Sequence, residues 1–180
     1  MQHWAPAKLI SFMQRRRLLK IGLAATALLT LAGGGLALWH PGLAQGRLTS
    51  SGKSVFEAVA RAVLDGSLPL DIHEREAAVS AHLKRLDDAV ASFPAATQAE
   101  LSQLLALLVS APGRSGLAGL FSAWPEATVS DLQQAMQGMR TSSLALRQQT
   151  YHALRDLTNA AYYADSTAWP LLGYPGPTLV

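Results

Sequence analysis

The residue types that perform catalysis or bind metals are few and widely spaced in this 180-residue chain. Cysteine is absent, which excludes disulfides, thiolate-bound zinc, iron–sulfur clusters, a cysteine nucleophile and covalently attached haem. No two of His73, His82 and His152 are three or four positions apart, so they would not share a helix face as metal ligands. We expect His73 in a solvated first helical turn, and His82 and His152 at surface or edge positions of amphipathic helices.

Two short motifs resemble nucleotide-binding or catalytic loops but lack a required residue. Ser51-Gly52-Lys53-Ser54 has the ending of a phosphate-binding loop, yet Arg47 stands where that loop needs a glycine. Gly113-Arg114-Ser115-Gly116 is not a nucleophile elbow, because Leu117 follows where a glycine is required. A hydrolase or lyase built on His152 gains no support from the spacing. The sequence therefore predicts no catalytic residue, no metal ligand and no cofactor site in this chain.

Three arginines late in the chain are candidates for binding rather than catalysis. Arg140, Arg147 and Arg155 follow one another at steps of seven and eight residues, which keeps them on roughly one side of a helix. A break near Thr141-Ser142 can separate the first from the other two. Surface ion pairing and binding of an acidic partner are both open interpretations of this stripe.

Charge is distributed unevenly along the chain. The formal net charge is +3, but residues 1–44 contain five of the basic residues and no acidic residue. The rest of the chain holds 10 of the 15 basic residues and all 12 acidic residues, a net charge of −2. The basic character belongs to the leader, so it does not indicate nucleic-acid binding, which requires a basic face on the folded part.

Residues 1–44 have the layout of an export signal. A basic stretch precedes an uncharged apolar run from Ile21 to Leu38, and small residues at Gly42 and Ala44 suit cleavage after Ala44. The rival interpretation is a retained membrane anchor, because a run of this length reaches the lower limit for crossing a bilayer. Gly33-Gly34-Gly35 weakens that reading, since each glycine costs about 1 kcal/mol relative to alanine in a helix. We predict removal of the leader, with retention as the alternative.

The basic stretch also resembles the twin-arginine export motif R-R-x-F-L-K. Leu18 takes the place of the phenylalanine, and the positions that match are Arg15, Arg16, Leu18, Leu19 and Lys20. The arginines could instead supply only the positive charge of a general export signal. We favour the twin-arginine route, which carries folded proteins, and therefore predict a periplasmic protein recognised by the twin-arginine export machinery.

Residues 45–180 are predicted to form a single all-α domain, an irregular bundle of about five or six helices. Apolar residues recur at helical spacing, and no stretch alternates like a half-buried strand for more than a few residues. We expect capping boxes at Ser54–Glu57 and Thr97–Glu100, with the leucine-rich helix after Thr97 at the centre of the bundle. The remaining predicted helices cover about 73–93, 115–123, 128 or 130 to 139, and 143–163.

From about residue 165 the chain is too rich in proline and glycine to be predicted as helix. This tail also carries Trp169 and Tyr174, and large aromatic residues are typical anchors of docking surfaces. The two rings can equally fold back over the protein's own core. Both interpretations are open from the sequence.

The final helix with Tyr162-Tyr163, followed by Gly173-Tyr174-Pro175-Gly176, resembles the gluconate 2-dehydrogenase subunit 3 family. Members are small exported proteins with a twin-arginine leader, similar to small subunits of membrane-bound sugar and alcohol dehydrogenases. Ala62-Val63-Leu64 before the Leu68-Pro69 break also resembles the family's helix and proline turn. The spacer before the G-Y-x-G motif is shorter here than is usual in that family. The middle of the chain matches only in helical character.

The resemblance implies a non-catalytic accessory subunit that helps a periplasmic flavoprotein dehydrogenase to mature and to be exported. The large partner would hold FAD, a cytochrome subunit would carry haem c, and this chain would bind no cofactor. The alternative is a helical binding module anchored in the membrane by its leader and unrelated to redox chemistry. The predicted partner-docking residues are Tyr162, Tyr163, Trp169, Gly173, Tyr174 and Gly176.

Overall fold

A computed structural model describes residues 41–174, apart from the side chains of residues 171 and 172. The described chain begins with a two-stranded antiparallel hairpin, β1 (Leu43–Ala44) and β2 (Arg47–Leu48). Five helices of more than one turn follow within these residues: α1 (Ser50–Val63), α2 (Ile72–Ala91), α3 (Ala95–Val109), α4 (Val129–Arg140) and α5 (Ala145–Tyr163). The prediction of an all-α bundle is confirmed. The predicted export residues from Arg15 to Lys20 and the docking residue Gly176 lie outside the described part.

Helix α1 is the centre of the bundle, because it packs against α2, α3, α4 and α5. Its buried residues include Val55, Phe56 and Val59 on one side and the small Ala58 and Ala62 on others. Small side chains let neighbouring helices approach closely on several sides. The prediction that the leucine-rich α3 would be central is wrong. Helix α3 packs on α1, on the hairpin and on the helical turns that follow α3, and it exposes part of its surface.

Neither of the two predicted capping boxes lies at the start of a helix. α1 begins at Ser50 because the Thr49 side chain accepts a hydrogen bond from the Gly52 amide, and Ser54 lies inside the helix. α3 begins directly after Pro94 without any side-chain cap, so the predicted Thr97–Glu100 box is wrong. The start of α4, predicted at residue 128 or 130, lies at Thr128, which forms a reciprocal capping box with Asp131.

The segment between α3 and α4 is mostly irregular. One helical turn (Ala111–Gly113) runs into a π-helical turn (Arg114–Ala118), and Gly119 ends it with a left-handed φ of 73°. The predicted helix over 115–123 is therefore wrong beyond its first residues. The buried Trp124 indole closes the segment by donating to the Leu108 carbonyl oxygen over 2.7 Å.

The segment after α5 is a 3₁₀ helix, Ser166–Leu172, although its composition predicted no helix. The Asp165 side chain caps it by accepting from the Thr167 amide over 3.0 Å. Proline is tolerated at Pro170 because a short 3₁₀ segment uses few of the amide donors that a longer helix would need. No helix of the described residues is long and apolar enough to cross a membrane.

Candidate docking surfaces

Residues 41–174 contain no group of three or more histidine, aspartate or glutamate side chains that could hold a metal ion. His73 and His152 are exposed, as expected. His82 is fully buried, so the expectation that it lies at a surface or edge is wrong. Both its ring nitrogens lack a hydrogen-bond partner among the described residues, and its ring meets the edge of Tyr162. Burial, and secondarily the charge of Arg85, lowers the pKa of His82 to about 4.

Tyr162, a predicted docking residue, belongs to the protein's own core. It is buried, and its hydroxyl donates a 2.8 Å hydrogen bond to the Ser67 carbonyl oxygen in the loop between α1 and α2. Burial also raises the pKa of the Tyr162 phenol. The ring of Tyr162 is therefore not available to a partner unless the bundle opens.

The other described aromatic residues of the tail lie progressively nearer to solvent. Tyr163 is half-buried, with its hydroxyl 3.4 Å from the Ser67 hydroxyl. Trp169 is half-buried and donates its indole N–H to the Tyr163 carbonyl oxygen over 2.9 Å. Its ring lies 5.4 Å from that of Tyr174, which is 47% exposed, and the left-handed Gly173 turns the chain between them. The tail thus holds its last described ring at the surface.

An ion pair fixes the start of the tail. Arg85 of α2 contacts Asp165 through a 2.9 Å nitrogen–oxygen pair and donates from Nε to the Ala161 carbonyl oxygen. Hydrogen bonds from Thr167, with the smaller effect of Arg85, hold the pKa of the Asp165 carboxyl below its usual range. The carboxylate is therefore available both to cap the 3₁₀ helix and to pair with α2.

The loop between α1 and α2 is a surface feature that the sequence did not identify as functional. Leu70 in this loop is 94% exposed, and Ile72, the first residue of α2, is 61% exposed. The loop is nevertheless held in place, because Arg75 donates to the carbonyl oxygens of Pro69 and Leu70 over 2.9 and 3.0 Å. The only signal in the sequence was the apolar Leu68-Pro69-Leu70 break itself.

Loop and tail border the same cavity, of about 480 Å³. Leu70 lies on its wall together with Pro170, and Arg85 and Asp165 provide its charged part. Leu70 and Pro170 line the cavity, whereas Trp169 and Tyr174 do not; they flank Pro170 along the tail. We call the set Leu70, Trp169, Pro170 and Tyr174 the loop–tail surface. It combines exposed apolar groups with a backbone fixed by hydrogen bonds.

Ala44, the predicted cleavage residue, lies at the end of β1 and is exposed. The residues just before it are part of the folded body: Leu43 is buried, and the Gly42 carbonyl oxygen accepts from the Thr49 amide over 3.0 Å. A methyl group on Gly42 would lie 2.3 Å from the Leu105 Cβ atom, so only glycine fits this close approach. Cleavage after Ala44 would thus remove β1 from the domain. The site itself stays a prediction.

The arginine stripe of the sequence divides into three separate environments. Arg140 is exposed and bonds to Gln137, and Arg155 contacts Asp156, both within their own helices. Arg147 is half-buried beside the π-helical turn.

No protein-family model, curated protein or solved structure matches this chain.

Proposed function

We propose that this chain is a non-catalytic accessory subunit of a periplasmic FAD-dependent dehydrogenase. It would bind the folded flavoprotein and carry it through the twin-arginine route on its own leader. The observation that carries the proposal is the loop–tail surface, a fixed apolar surface on a body whose described residues contain no metal-ligand cluster. Exposed apolar groups on an ordered backbone cost little conformational entropy on binding, which suits a docking site.

The export residues are the basis for the proposed role in transport. Arg15 and Arg16 in the leader would be read by the export machinery, while the body holds the partner. A leader that is retained would leave the complex attached to the membrane, and one that is removed would release it to the periplasm. A partner carrying FAD, with or without a haem c subunit, follows from the family resemblance.

The proposal is tested by changing the paired arginines in the native host. With Arg15→Lys and Arg16→Lys together, we expect both this protein and its flavoprotein to stay in the cytoplasm, measured by fractionation and flavin fluorescence. Arg47→Lys is the matched control, because it alters an arginine outside the motif and keeps its charge. Normal export of the flavoprotein in the double variant would contradict the carrier role.

The second candidate is a membrane-anchored binding module unrelated to redox chemistry. The same loop–tail surface favours it, because that surface does not by itself specify a flavoprotein. An intact chain found in the membrane fraction with a partner that lacks flavin would favour this candidate.

A further inference from the structure

A second groove lies on another part of the bundle, between the π-helical turn, α4 and α5. Its volume is about 580 Å³. The lining residues used below are Gly119, Phe121, Asp131, Gly138 and Arg147. None of them belongs to the loop–tail surface.

Arg147 is the basic group at the wall of this groove. Its Nε donates a 3.0 Å hydrogen bond to the Leu117 carbonyl oxygen, which fixes the plane of the guanidinium. Within residues 41–174, no carboxylate oxygen lies within 4.0 Å of it. Arg147 is therefore a half-buried cation that is oriented by the fold and has no anionic partner among the described residues.

Two glycines from different elements leave space beside the same guanidinium nitrogen. A methyl group on Gly119 would lie 3.4 Å from Arg147 Nη2, and one on Gly138 would lie 3.6 Å from it. Gly119 also needs to be glycine for its φ of 73°, but Gly138 lies inside α4, where glycine costs about 1 kcal/mol relative to alanine. An alanine at position 138 would place its methyl group in van der Waals contact with Nη2.

The rim of the groove provides an apolar contact beside this cation. Phe121 is 86% exposed, and its backbone is held by Arg114, which donates to the Phe121 carbonyl oxygen over 3.4 Å. Asp131 also lines the groove, where its carboxylate accepts from the Thr128 amide and hydroxyl. A negative rim disfavours a ligand of high negative charge such as phosphate, because like charges repel in a partly desolvated groove.

We infer that this groove binds a single carboxylate next to an apolar side chain, both presented by one segment of a partner protein. Arg147 pairs with the carboxylate, since a guanidinium can donate two parallel hydrogen bonds to it. Phe121 packs on the neighbouring apolar group. The inference rests on the proposed function only in requiring that this chain acts by binding another protein.

The test uses the full chain in mild detergent and two small probes. Acetyl-Glu-Leu-amide has the required carboxylate and apolar group, and acetyl-Gln-Leu-amide is its uncharged match. We expect the first to shift the backbone amide resonances of Gly119 and Gly138 saturably, and the second to bind at least fivefold more weakly. Inorganic phosphate is a third probe, for which we expect no saturable shift at these glycines.

Substitutions inside and outside the groove then test whether the peptide binds there. Arg147→Gln should abolish the saturable shifts, and Phe121→Ala, at an exposed position, should weaken them severalfold. Arg140→Gln is the matched control and should leave them unchanged. Equal binding of both peptides, saturable binding of phosphate, binding that survives Arg147→Gln, or no saturable shift at all would overturn the inference. No flavoprotein is present in this experiment, so its result and the result of the export test are independent of each other.

Discussion

The Tyr162 hydroxyl donates a 2.8 Å hydrogen bond to the carbonyl oxygen of Ser67. This bond joins the last turn of α5 to the loop after α1, which are 95 residues apart in the chain. It fixes the same loop that carries Leu70 to the surface. The buried tyrosine is therefore a support of the loop–tail surface rather than a part of it.

Tyr162→Phe should lower the free energy of unfolding by about 1 kcal/mol, because it removes the hydroxyl donor and leaves the Ser67 carbonyl unpaired. Denaturant unfolding monitored by circular dichroism measures this change. Tyr151→Phe is the matched control, since Tyr151 is half-buried and its hydroxyl makes no hydrogen bond within residues 41–174. Equal stability of both variants would contradict a supporting role for the bond.

Asp87 anchors the N-terminal hairpin to α2, and its loss should be costly. Its carboxylate accepts from the Leu48 amide over 2.6 Å and lies 3.4 Å from the Lys53 ammonium. Asp87→Ala should destabilise the domain by about 2 kcal/mol, because a buried amide loses its acceptor. Asp88→Ala should cost less than about 0.5 kcal/mol, since Asp88 is exposed and pairs only at the surface. Thermal unfolding distinguishes the two, and similar losses would contradict the anchor.

The hairpin also bears on the fate of the leader. A chain cut after Ala44 loses the buried Leu43 and the amide–carbonyl bond between Thr49 and Gly42. We expect such a chain to unfold at a lower temperature than one that retains these residues. The intact mass of the exported protein shows which form is made, and an N-terminus at Gln45 with unchanged stability would contradict a structural role for β1.

His82 should make the stability of the protein depend on pH. Its pKa is about 4 in the folded protein against an ordinary value of 6.5, so the unfolded chain binds more protons between these values. The free energy of unfolding should therefore keep its full value above about pH 6.5. It should fall as the pH decreases towards 4, by up to about 3 kcal/mol. His82→Phe should remove most of this decrease, and His73→Gln, at an exposed position, should retain it. Parallel pH profiles for all three proteins would contradict this assignment.

Tyr174 is the described aromatic residue of the tail best placed to contact a partner. Tyr174→Ala should weaken binding of the partner by about 2 kcal/mol, roughly 30-fold, while the body stays folded. Trp169→Ala should weaken binding as well, but part of its effect should appear as lost stability because its indole bonds to Tyr163. Leu144→Ala is the control, since Leu144 is exposed at the opposite end of α5. Calorimetry with the purified partner measures all three, and unchanged affinity for Tyr174→Ala would contradict a docking role.

Local signals in the sequence predicted those parts of the fold that depend on neighbouring residues. The start of α4 at Thr128, one of the two predicted positions, is an example, because the hydrogen bonds of its cap lie within four residues. Contacts between distant elements were not predictable in the same way. The burial of His82 depends on α5 packing over α2, and no spacing within α2 indicates it.

For the candidate surfaces, too, the sequence suggested residue types, and the contacts between distant elements decided their positions. The aromatic tail suggested docking, but only the fold separates the buried Tyr162 from the exposed Tyr174. The arginine spacing suggested a common stripe, whereas in the fold Arg147 lies in a groove that neither Arg140 nor Arg155 lines. Leu70 became a candidate only because Arg75 and Tyr162 hold its loop in place.

The most direct test of the central claim is an affinity purification of the tagged full chain from its native envelope, followed by the absorbance spectrum of the eluate. The proposed function predicts flavin bands with a large subunit in stoichiometric amount, and a Soret band if a cytochrome subunit accompanies it. The Tyr174→Ala variant should recover less of the flavoprotein than the Leu144→Ala control. A colourless eluate with no stoichiometric partner would contradict the accessory role.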